Sequence, residues 1–172
     1  MTDVRRRFFF ALWPDPALRS EIVRRRQAVQ SLSPRRVPDQ NLHLTLIFLG
    51  AQPENRMNSL LVAVDDLKSA SFELLLDRFG WFAGARVAWL GGMPAPAGLL
   101  LVRRLALLAD SAGLEFDRRN WQPHVTLFRK VMRQPAFPEP APLHWPVRDF
   151  SLIESVAGQP YQVLRTWSLQ SQ

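Results

Sequence analysis

The most constraining feature of this chain is a short motif that occurs twice in apolar surroundings. The segment NLHLTLIF at residues 41–48 matches QPHVTLF at residues 122–128, and both contain His-aliphatic-Thr-Leu. The two histidines, His43 and His124, lie 81 residues apart, which is close to half of the chain. Side chains alternate between the faces of a strand, so each histidine is predicted to share a face with the threonine two residues later. The repeat therefore predicts two similar strands that form matching walls of one cleft.

Aliphatic residues occupy the alternate positions of both motifs. These residues are predicted to point away from the histidines and into a core: Leu44, Leu46, Val125 and Leu127. One such motif alone would be explained by a buried structural histidine. Two copies, which hold two of the three histidines of the chain, favour a shared functional site.

The length and the residue types present limit the classes of protein. With 172 residues the chain suits a single domain over residues 1–172. It has no cysteine, which excludes a disulfide scaffold, a thiol nucleophile and a cysteine-ligated metal. No apolar stretch reaches the roughly 18 residues of a membrane span, and the short apolar run that ends at Pro14 is unlike a signal peptide. We therefore expect a cytoplasmic protein with no membrane partner.

The charge is basic and is carried mainly by arginine. The net charge is +7, and 20 of the 22 basic residues are arginine. Arginine contacts phosphate in a bidentate manner, so the bias is compatible with a nucleotide or nucleic-acid ligand. A GC-rich coding sequence would produce the same bias. The run Arg24, Arg25 and Arg26 is predicted to lie on the solvated face of a helix.

The apolar periodicity and the turn residues predict an α+β fold with largely antiparallel strands. Helices are predicted over residues 14–32, 54–68 and 99–112, the first with Asp15 as its cap. Strands are predicted over residues 4–12, 42–50, 72–82, 86–90, 121–131, 147–154 and 161–169. A hairpin is predicted around Gly84, and the proline-rich residues 134–146 are predicted to be an irregular connection.

Two imidazoles and two hydroxyls on facing strands suit acid–base chemistry on a phosphodiester. The pKa of a free imidazole is near 6.5, so at about pH 7 one ring can be protonated while the other is neutral. One ring then takes a proton from water while the other gives a proton to the leaving oxygen. Threonine hydroxyls can donate hydrogen bonds to the non-bridging oxygens. A zinc site is the main alternative, but catalytic zinc usually takes three protein ligands and neither motif has a third beside it; we therefore expect no metal and no cofactor.

The chain resembles the 2H phosphoesterase family, which is named for such paired His-x-Thr/Ser-x motifs. Within that family it is most similar to the bacterial RNA 2',3'-cyclic phosphodiesterase branch, historically called 2'-5' RNA ligase. The resemblance covers nearly the whole chain. It is carried by residues 7–12, 37–50, 87–91, 123–130, 150–155 and 161–164.

The resemblance implies a fold, a reaction and roles for the motif residues. The implied fold is two-lobed and pseudo-twofold, with antiparallel sheets that line a central cleft and helices packed outside. His43 would be the proton donor and His124 the proton acceptor, with Thr45 and Thr126 beside them. The implied substrate is RNA with a 2',3'-cyclic phosphate end, tRNA fragments included, and the product is a 2'-phosphomonoester. Reversal of this chemistry would join RNA through a 2'-5' bond, and we expect the protein to be a monomer.

Two cations after the second motif are candidates for substrate binding. Simple alternation turns Arg129 away from His124 and gives Lys130 the histidine face, although a β-bulge would exchange them. Arg35 and Arg36 precede the first motif, where they would either face the RNA or lie in a solvated loop.

His144 matches no motif, and we expect it to be an ordinary surface residue. Two alternatives to the implied function remain open. The same site could act on a small cyclic nucleotide or on a cyclic phosphate derived from ADP-ribose. The other alternative is a non-catalytic protein that binds RNA ends.

Overall fold

The computed structural model describes residues 6–29 and 35–171, which contain three α-helices and nine β-strands. The helices are α1 (Pro16–Gln27), α2 (Glu54–Asp65) and α3 (Pro96–Ser111). The strands are β1 (Arg7–Leu12), β2 (Leu44–Gly50), β3 (Phe72–Leu76), β4 (Arg78–Phe82), β5 (Val87–Gly91), β6 (His124–Phe128), β7 (Leu143–Val147), β8 (Asp149–Ser155) and β9 (Gln162–Ser168). None of the described helices is long and apolar enough to cross a membrane.

In this part of the chain, seven strands form one sheet in the order β4-β5-β6-β2-β1-β8-β9, and β3 and β7 form a second sheet. The paired strands are antiparallel, which confirms the predicted α+β class. The two motif strands, β2 and β6, are neighbours at the centre of the large sheet. Among the described residues they pair at a single position, Leu44 opposite Val125.

The helices pack on one face of the large sheet. Leu44, Leu46, Val125 and Leu127 are all at most 4% exposed, which confirms that they point into the core. The same apolar cluster includes residues of α1, α2 and α3, among them Ile22, Leu60 and Leu101. The opposite face of the sheet, where the motif histidines lie, carries a smaller cluster built around Phe9 and Ile153.

Helix α1 begins as predicted, but its arginines do not all face solvent. The Asp15 carboxylate accepts a hydrogen bond from the backbone N–H of Leu18 at 2.8 Å, which confirms the cap. Arg26 is 2% exposed, forms an ion pair with Asp39 and donates to the backbone carbonyl of Val37, so its predicted solvation is wrong. This buried charge is satisfied by the segment that returns past α1 on its way to β2.

The other two arginines of the run differ in their exposure to solvent. Arg24 is exposed, whereas Arg25 is largely covered and donates to the carbonyls of Ala141 and Pro142, so its predicted solvation is also wrong. Residues 4–5 of the first predicted strand and residues 30–32 of the first predicted helix lie outside the described residues.

Two predicted segments have a different structure. The sequence predicts one strand over residues 72–82, but the chain passes at Asp77 from the small sheet (β3) to the large sheet (β4). The Asp77 N–H donates to the carbonyl of Gly91 at 2.9 Å, which fixes the crossing. The predicted irregular segment 134–146 ends in strand β7, where Pro146 pairs with Glu73. Proline is tolerated there because β7 is an edge strand of a two-stranded sheet. The hairpin of β4 and β5 is confirmed.

Candidate active site

The four polar side chains of the motifs lie on the face of the large sheet opposite the helices. His43, Thr45, His124 and Thr126 are half-buried, whereas the residue between each His and Thr is fully buried. Those two intervening residues form the β2–β6 pair, so both histidines and both threonines lie on the same face of the sheet, near the point where the two strands meet. In a regular antiparallel register this pair would set His43 opposite Thr126 and Thr45 opposite His124, with the two histidines about 7–8 Å apart on the diagonal. The structure therefore brings the polar side chains of both motifs to one region of the sheet.

A β-bulge follows the threonine in each motif strand. Opposite β1 the register skips Leu46, and opposite β5 it skips Leu127. As a result the next residues, Ile47 and Phe128, are also buried in the core, at 4% and 1% exposure. Bulges beside active sites re-aim the side chains that follow them. Leu46 and Leu127, the fourth residues of the two motifs, are therefore both the extra residue of a β-bulge.

The second bulge reverses the predicted directions of Arg129 and Lys130. Because Leu127 is an extra residue, Arg129 lies on the histidine side of the strand, and its positive charge is one of the causes that lower the pKa of His43. Lys130 lies beyond the end of β6 with a left-handed backbone, at φ 56°. Both side chains are exposed. Of the two arrangements that the sequence left open, the structure therefore has the one with a bulge, which gives Arg129 the histidine side.

Each histidine is oriented by the backbone carbonyl two residues before it. His43 Nδ1 lies 2.7 Å from the oxygen of Asn41, and His124 Nδ1 lies 2.7 Å from the oxygen of Gln122. A carbonyl only accepts, so Nδ1 carries the hydrogen in both rings, and Nε2 of the neutral ring is an acceptor. His43 Nε2 lies 3.1 Å from Thr45 Oγ1, where the hydroxyl donates to the neutral ring. Both rings therefore keep Nε2 for proton transfer.

Aromatic rings that the sequence analysis did not predict enclose both imidazoles. The His43 ring lies 4.9 Å from Phe9, 5.4 Å from Tyr161 and 6.0 Å from Trp13, measured between ring centres. The His124 ring lies 4.9 Å from Phe82 and 6.0 Å from Trp89. The signal available in the sequence was the aromatic content of the neighbouring strands, but only strand order shows which rings reach which histidine.

Arg19 holds the loop in front of the first motif and was also missed by the sequence analysis. Its guanidinium lies 5.2 Å from the ring centre of Trp13, the indole that stacks on His43. It also donates to the carbonyl of Leu42 at 2.9 Å and to that of Asp39 at 2.6 Å. This arginine therefore fixes both the backbone before His43 and one wall of its pocket.

The surroundings of both histidines favour the neutral imidazole. Burial is the largest cause and lowers the pKa of His43 to about 4, against the opposing hydrogen bond to Asn41. The positive charges of Arg129, His124 and Arg19 lower it further, which shows that the two motif histidines lie within electrostatic range. Burial likewise lowers the pKa of His124. A bound phosphate anion would act in the opposite direction and favour protonation.

Acid is expected to destabilise the fold through His43. The folded protein holds the pKa of this group near 4, whereas that of an unfolded imidazole is near 6.5, so the unfolded state binds more protons between those values. The free energy of unfolding should therefore fall by on the order of 3 kcal/mol as the pH falls from about 6.5 to about 4. Urea unfolding of wild type and His43→Gln, near pH 7 and near pH 4.5, measures this contribution. An identical pH dependence of unfolding in wild type and His43→Gln would contradict the lowered pKa.

His144 and the acidic residues do not extend the site. His144 lies in the two-stranded sheet, opposite Leu75, rather than beside a motif strand. Within residues 6–29 and 35–171, no three His, Asp or Glu side chains come together in a group that could hold a metal ion.

Comparison with known proteins agrees with this geometry. The family model of the 2'-5' RNA ligase superfamily matches residues 14–159. A protein of Escherichia coli (strain K12) named RNA 2',3'-cyclic phosphodiesterase is 31% identical over 95% of this chain and 96% of its own length. A protein of the same name from Thermus thermophilus is 30% identical over 96% of this chain and 91% of its own length.

The solved structures include close matches to the fold. The crystal structure of E. coli LigT complexed with 3'-AMP is 29% identical and has a TM-score of 0.88, covering 96% of this chain and 98% of that one. The paired motifs on adjacent strands, the family-model match and these relatives lead to one conclusion: this chain belongs to the 2'-5' RNA ligase superfamily and is a 2H phosphoesterase.

Proposed function

We propose that this protein hydrolyses the 2',3'-cyclic phosphate at the end of an RNA to a 2'-phosphomonoester, without a metal ion or other cofactor. The observation that carries the proposal is the antiparallel pairing of the motif strands, which sets two imidazoles and two hydroxyls around one space. Opening a cyclic phosphodiester requires removal of a proton from water, delivery of a proton to the leaving oxygen and donors for the non-bridging oxygens. The candidate site contains a group for each task.

The two histidines divide the proton transfers between them. His124 Nε2 takes a proton from water while the water oxygen bonds to phosphorus. The bond from phosphorus to the ribose 3'-oxygen breaks, and His43 gives its Nε2 proton to that oxygen. The 2'-phosphomonoester leaves with His124 protonated and His43 neutral, and exchange with solvent restores the starting state. The Nδ1 hydrogen bonds support these roles because they direct both Nε2 atoms to the reaction.

The threonines stabilise the negative charge of the phosphate. The Thr45 hydroxyl donates to His43 Nε2 when that ring is neutral. Once His43 is protonated, Nε2 no longer accepts, and the hydroxyl hydrogen can turn to a non-bridging oxygen. Thr126 lies across the ladder from His43 and can donate from the other side.

Substrate charge compensates for the lowered pKa of the proton donor. Burial disfavours the charged form of His43 and lowers its pKa to about 4, so this ring is mostly neutral near pH 7. The negative charge of a cyclic phosphate between the rings raises the pKa of both. Protonation of the acid is thereby coupled to binding, and Arg129 adds a positive charge for the phosphate.

The relatives support RNA as the substrate class. Two are named RNA 2',3'-cyclic phosphodiesterase, and a related crystal structure holds 3'-AMP, a ribonucleotide with a phosphate on the ribose. We extend the proposal to tRNA fragments as substrates, to reversal of the reaction as 2'-5' ligation and to a monomeric, cytoplasmic protein. The sheet order supports one domain with two lobes, β1 and β2 on one side of the centre and β5 and β6 on the other.

Hydrolysis is expected to persist in EDTA and to show a bell-shaped dependence on pH. The assay incubates the protein with an oligoribonucleotide that ends in a 2',3'-cyclic phosphate and identifies the product isomer. The rate falls at low pH because the proton acceptor must be neutral, and it falls at high pH because the proton donor must be protonated. The two apparent pKa values describe the coupled pair of histidines and are not assigned to single residues. A 2'-phosphate is the expected product.

Each other outcome of this assay has a distinct meaning. Loss of activity on chelation that zinc or magnesium restores would contradict metal-independent chemistry. A 3'-phosphate product would contradict the assigned leaving oxygen. Turnover of small cyclic nucleotides or ADP-ribose cyclic phosphate alone would exclude RNA as the substrate, and binding without turnover would exclude an enzyme.

A further inference from the structure

We infer that a strip of exposed cations beside the site binds the phosphate backbone of the RNA that precedes the cyclic end, so that the protein prefers an oligonucleotide to a mononucleotide. This inference rests on the proposed function and specifies its substrate. The strip, here called the basic strip, consists of Arg35, Arg36, Arg86, Arg129, Lys130 and Arg133, all of which are exposed.

The segment before the first motif reaches the strip by pairing with the end of β6. The Val37 N–H donates to the carbonyl of Leu127, and the Arg129 N–H donates to the carbonyl of Arg35, both at 2.9 Å. Arg36 forms an antiparallel bridge with Phe128 between these bonds. Residues 35–37 therefore lie beside β6 beyond the point where β2 leaves it, although nearly 90 residues of sequence separate the two segments.

The turn between β4 and β5 meets the same region from the other side. Phe128 pairs with Ala88 of β5, and the Val131 N–H donates to the carbonyl of Arg86 at 2.9 Å. Arg86 also places its guanidinium 3.9 Å from the sulfur of Met132. Three segments that are remote in sequence thus bring their cations together at one end of β6.

The strip begins at the site and extends away from it. Arg129 lies at the near end, where its charge acts on His43. A strand rises about 3.3 Å per residue, so His124 and Phe128 lie on the order of 13 Å apart along β6. Lys130 and Arg133 follow Arg129 along the chain and lie further from His124, where they meet the phosphates that precede the terminal one rather than the terminal phosphate itself.

Four of the six cations of the strip form no salt bridge with a carboxylate in the described part of the chain. In the described part of the chain, eight other arginines pair with carboxylates: Arg6, Arg24, Arg25, Arg26, Arg78, Arg118, Arg119 and Arg165. Among the described residues, no carboxylate forms a salt bridge with Arg36, Arg86, Lys130 or Arg133. Residues 35–37, 83–88 and 128–134 contain no Asp or Glu. The three segments that carry the strip therefore contribute no carboxylate that would compete with a phosphate backbone for its cations.

The backbone of the strip supplies a second observation. Arg86 and Lys130 are the two non-glycine residues with positive φ in the described part of the chain, each at 56°. An L side chain is disfavoured in this conformation and glycine is not. The chain nevertheless has a cation at both positions, in a conformation of the kind that concentrates at ligand-binding sites.

The test compares two substrates and two matched triple variants. We would measure kcat/KM for adenosine 2',3'-cyclic phosphate and for a short oligoribonucleotide with the same end, over a range of salt concentration. Arg36→Gln/Arg86→Gln/Arg133→Gln removes three cations from the strip. Arg24→Gln/Arg103→Gln/Arg148→Gln removes the same charge from α1, α3 and the β7–β8 connection, and should change neither substrate's kcat/KM.

The strip variant should lose its preference for the oligonucleotide. A contact to a single-stranded phosphate contributes about 0.7 to the slope of log affinity against log salt, so three lost contacts should reduce that slope by about 2 and lower oligonucleotide kcat/KM by on the order of 10–100-fold near 0.1 M salt. The ratio of oligonucleotide to mononucleotide kcat/KM should fall accordingly. An unchanged ratio and slope would overturn the inference.

Two further measurements separate the possible failures. Lys130→Gly removes a charge and a disfavoured backbone conformation together, so it should weaken the oligonucleotide preference while the melting temperature stays equal or rises. Fluorescence anisotropy of a labelled oligoribonucleotide with a 3'-phosphate tests the strip without turnover. If the wild type hydrolyses neither substrate, the proposed function is wrong. If the wild type binds this oligonucleotide with the same affinity and salt dependence as the strip variant, the inference about the basic strip is wrong.

Discussion

Replacement of His43 or His124 by alanine is expected to lower kcat on an RNA 2',3'-cyclic phosphate end by about 10²–10⁴-fold, the usual contribution of a positioned proton-transfer group. In both rings a backbone carbonyl holds the Nδ1 hydrogen, which leaves Nε2 as the atom for proton transfer. The double variant should be little worse than either single variant, since groups that act as a unit give strongly non-additive effects. Initial rates at saturating substrate measure all three variants.

His144→Ala is the matched control, because this histidine is exposed in the other sheet. Its kcat should stay near that of wild type. Circular dichroism and thermal melts must accompany every variant, since the half-buried motif histidines also pack against aromatic rings. Wild-type turnover in a folded His43→Ala or His124→Ala protein would contradict the mechanism.

Loss of a threonine hydroxyl should cost less than loss of an imidazole. Thr45→Val and Thr126→Val keep the β-branched shape that suits a strand and remove only the donor to the phosphate. We expect kcat to fall by on the order of 10–10³-fold in each variant. The upper end of this range is the usual effect of removing one oxyanion-hole donor. Thr45→Val also removes the partner of His43 Nε2, so its pH–rate profile should shift, whereas that of Thr126→Val should not.

Serine at the same positions restores the hydroxyl without the methyl group. Thr45→Ser and Thr126→Ser should therefore recover most of the rate lost in the valine variants. If valine and serine variants lose equal rates, the threonines contribute through packing, and the proposed hydrogen bonds to the phosphate are excluded.

Local patterns predicted the elements that form the site. The apolar alternation predicted β2 and β6 and the burial of Leu44 and Val125, because a two-residue period is a property of any strand. The start of α1 followed from the cap at Asp15, which acts within one turn. The hairpin of β4 and β5 followed from its turn residues in the same way.

Long-range pairing lay outside the reach of these patterns. The split of residues 72–82 at Asp77 depends on two partners, β7 and β5, that lie in different sheets. Strand β7 forms in a proline-rich segment because β3 offers it an edge. The burial of Arg26 depends on Val37 and Asp39, which follow it by 11 and 13 residues in the sequence.

The sequence by itself determined which groups the site contains: two histidines and two threonines, each pair on one face of an apolar strand. Only the tertiary structure decided how they are arranged and surrounded. Strand order made the two motifs neighbours, aromatic rings from β1, β4 and β5 and from the segments beside β1 and β9 enclosed the imidazoles, and burial there lowered the pKa of His43. The bulge at Leu127 gave Arg129 the histidine side of β6 against the local alternation. The alternation of side chains depends on one strand alone, whereas a bulge depends on the register between two strands. The identity of the groups could therefore be predicted from local sequence, whereas their geometry could not.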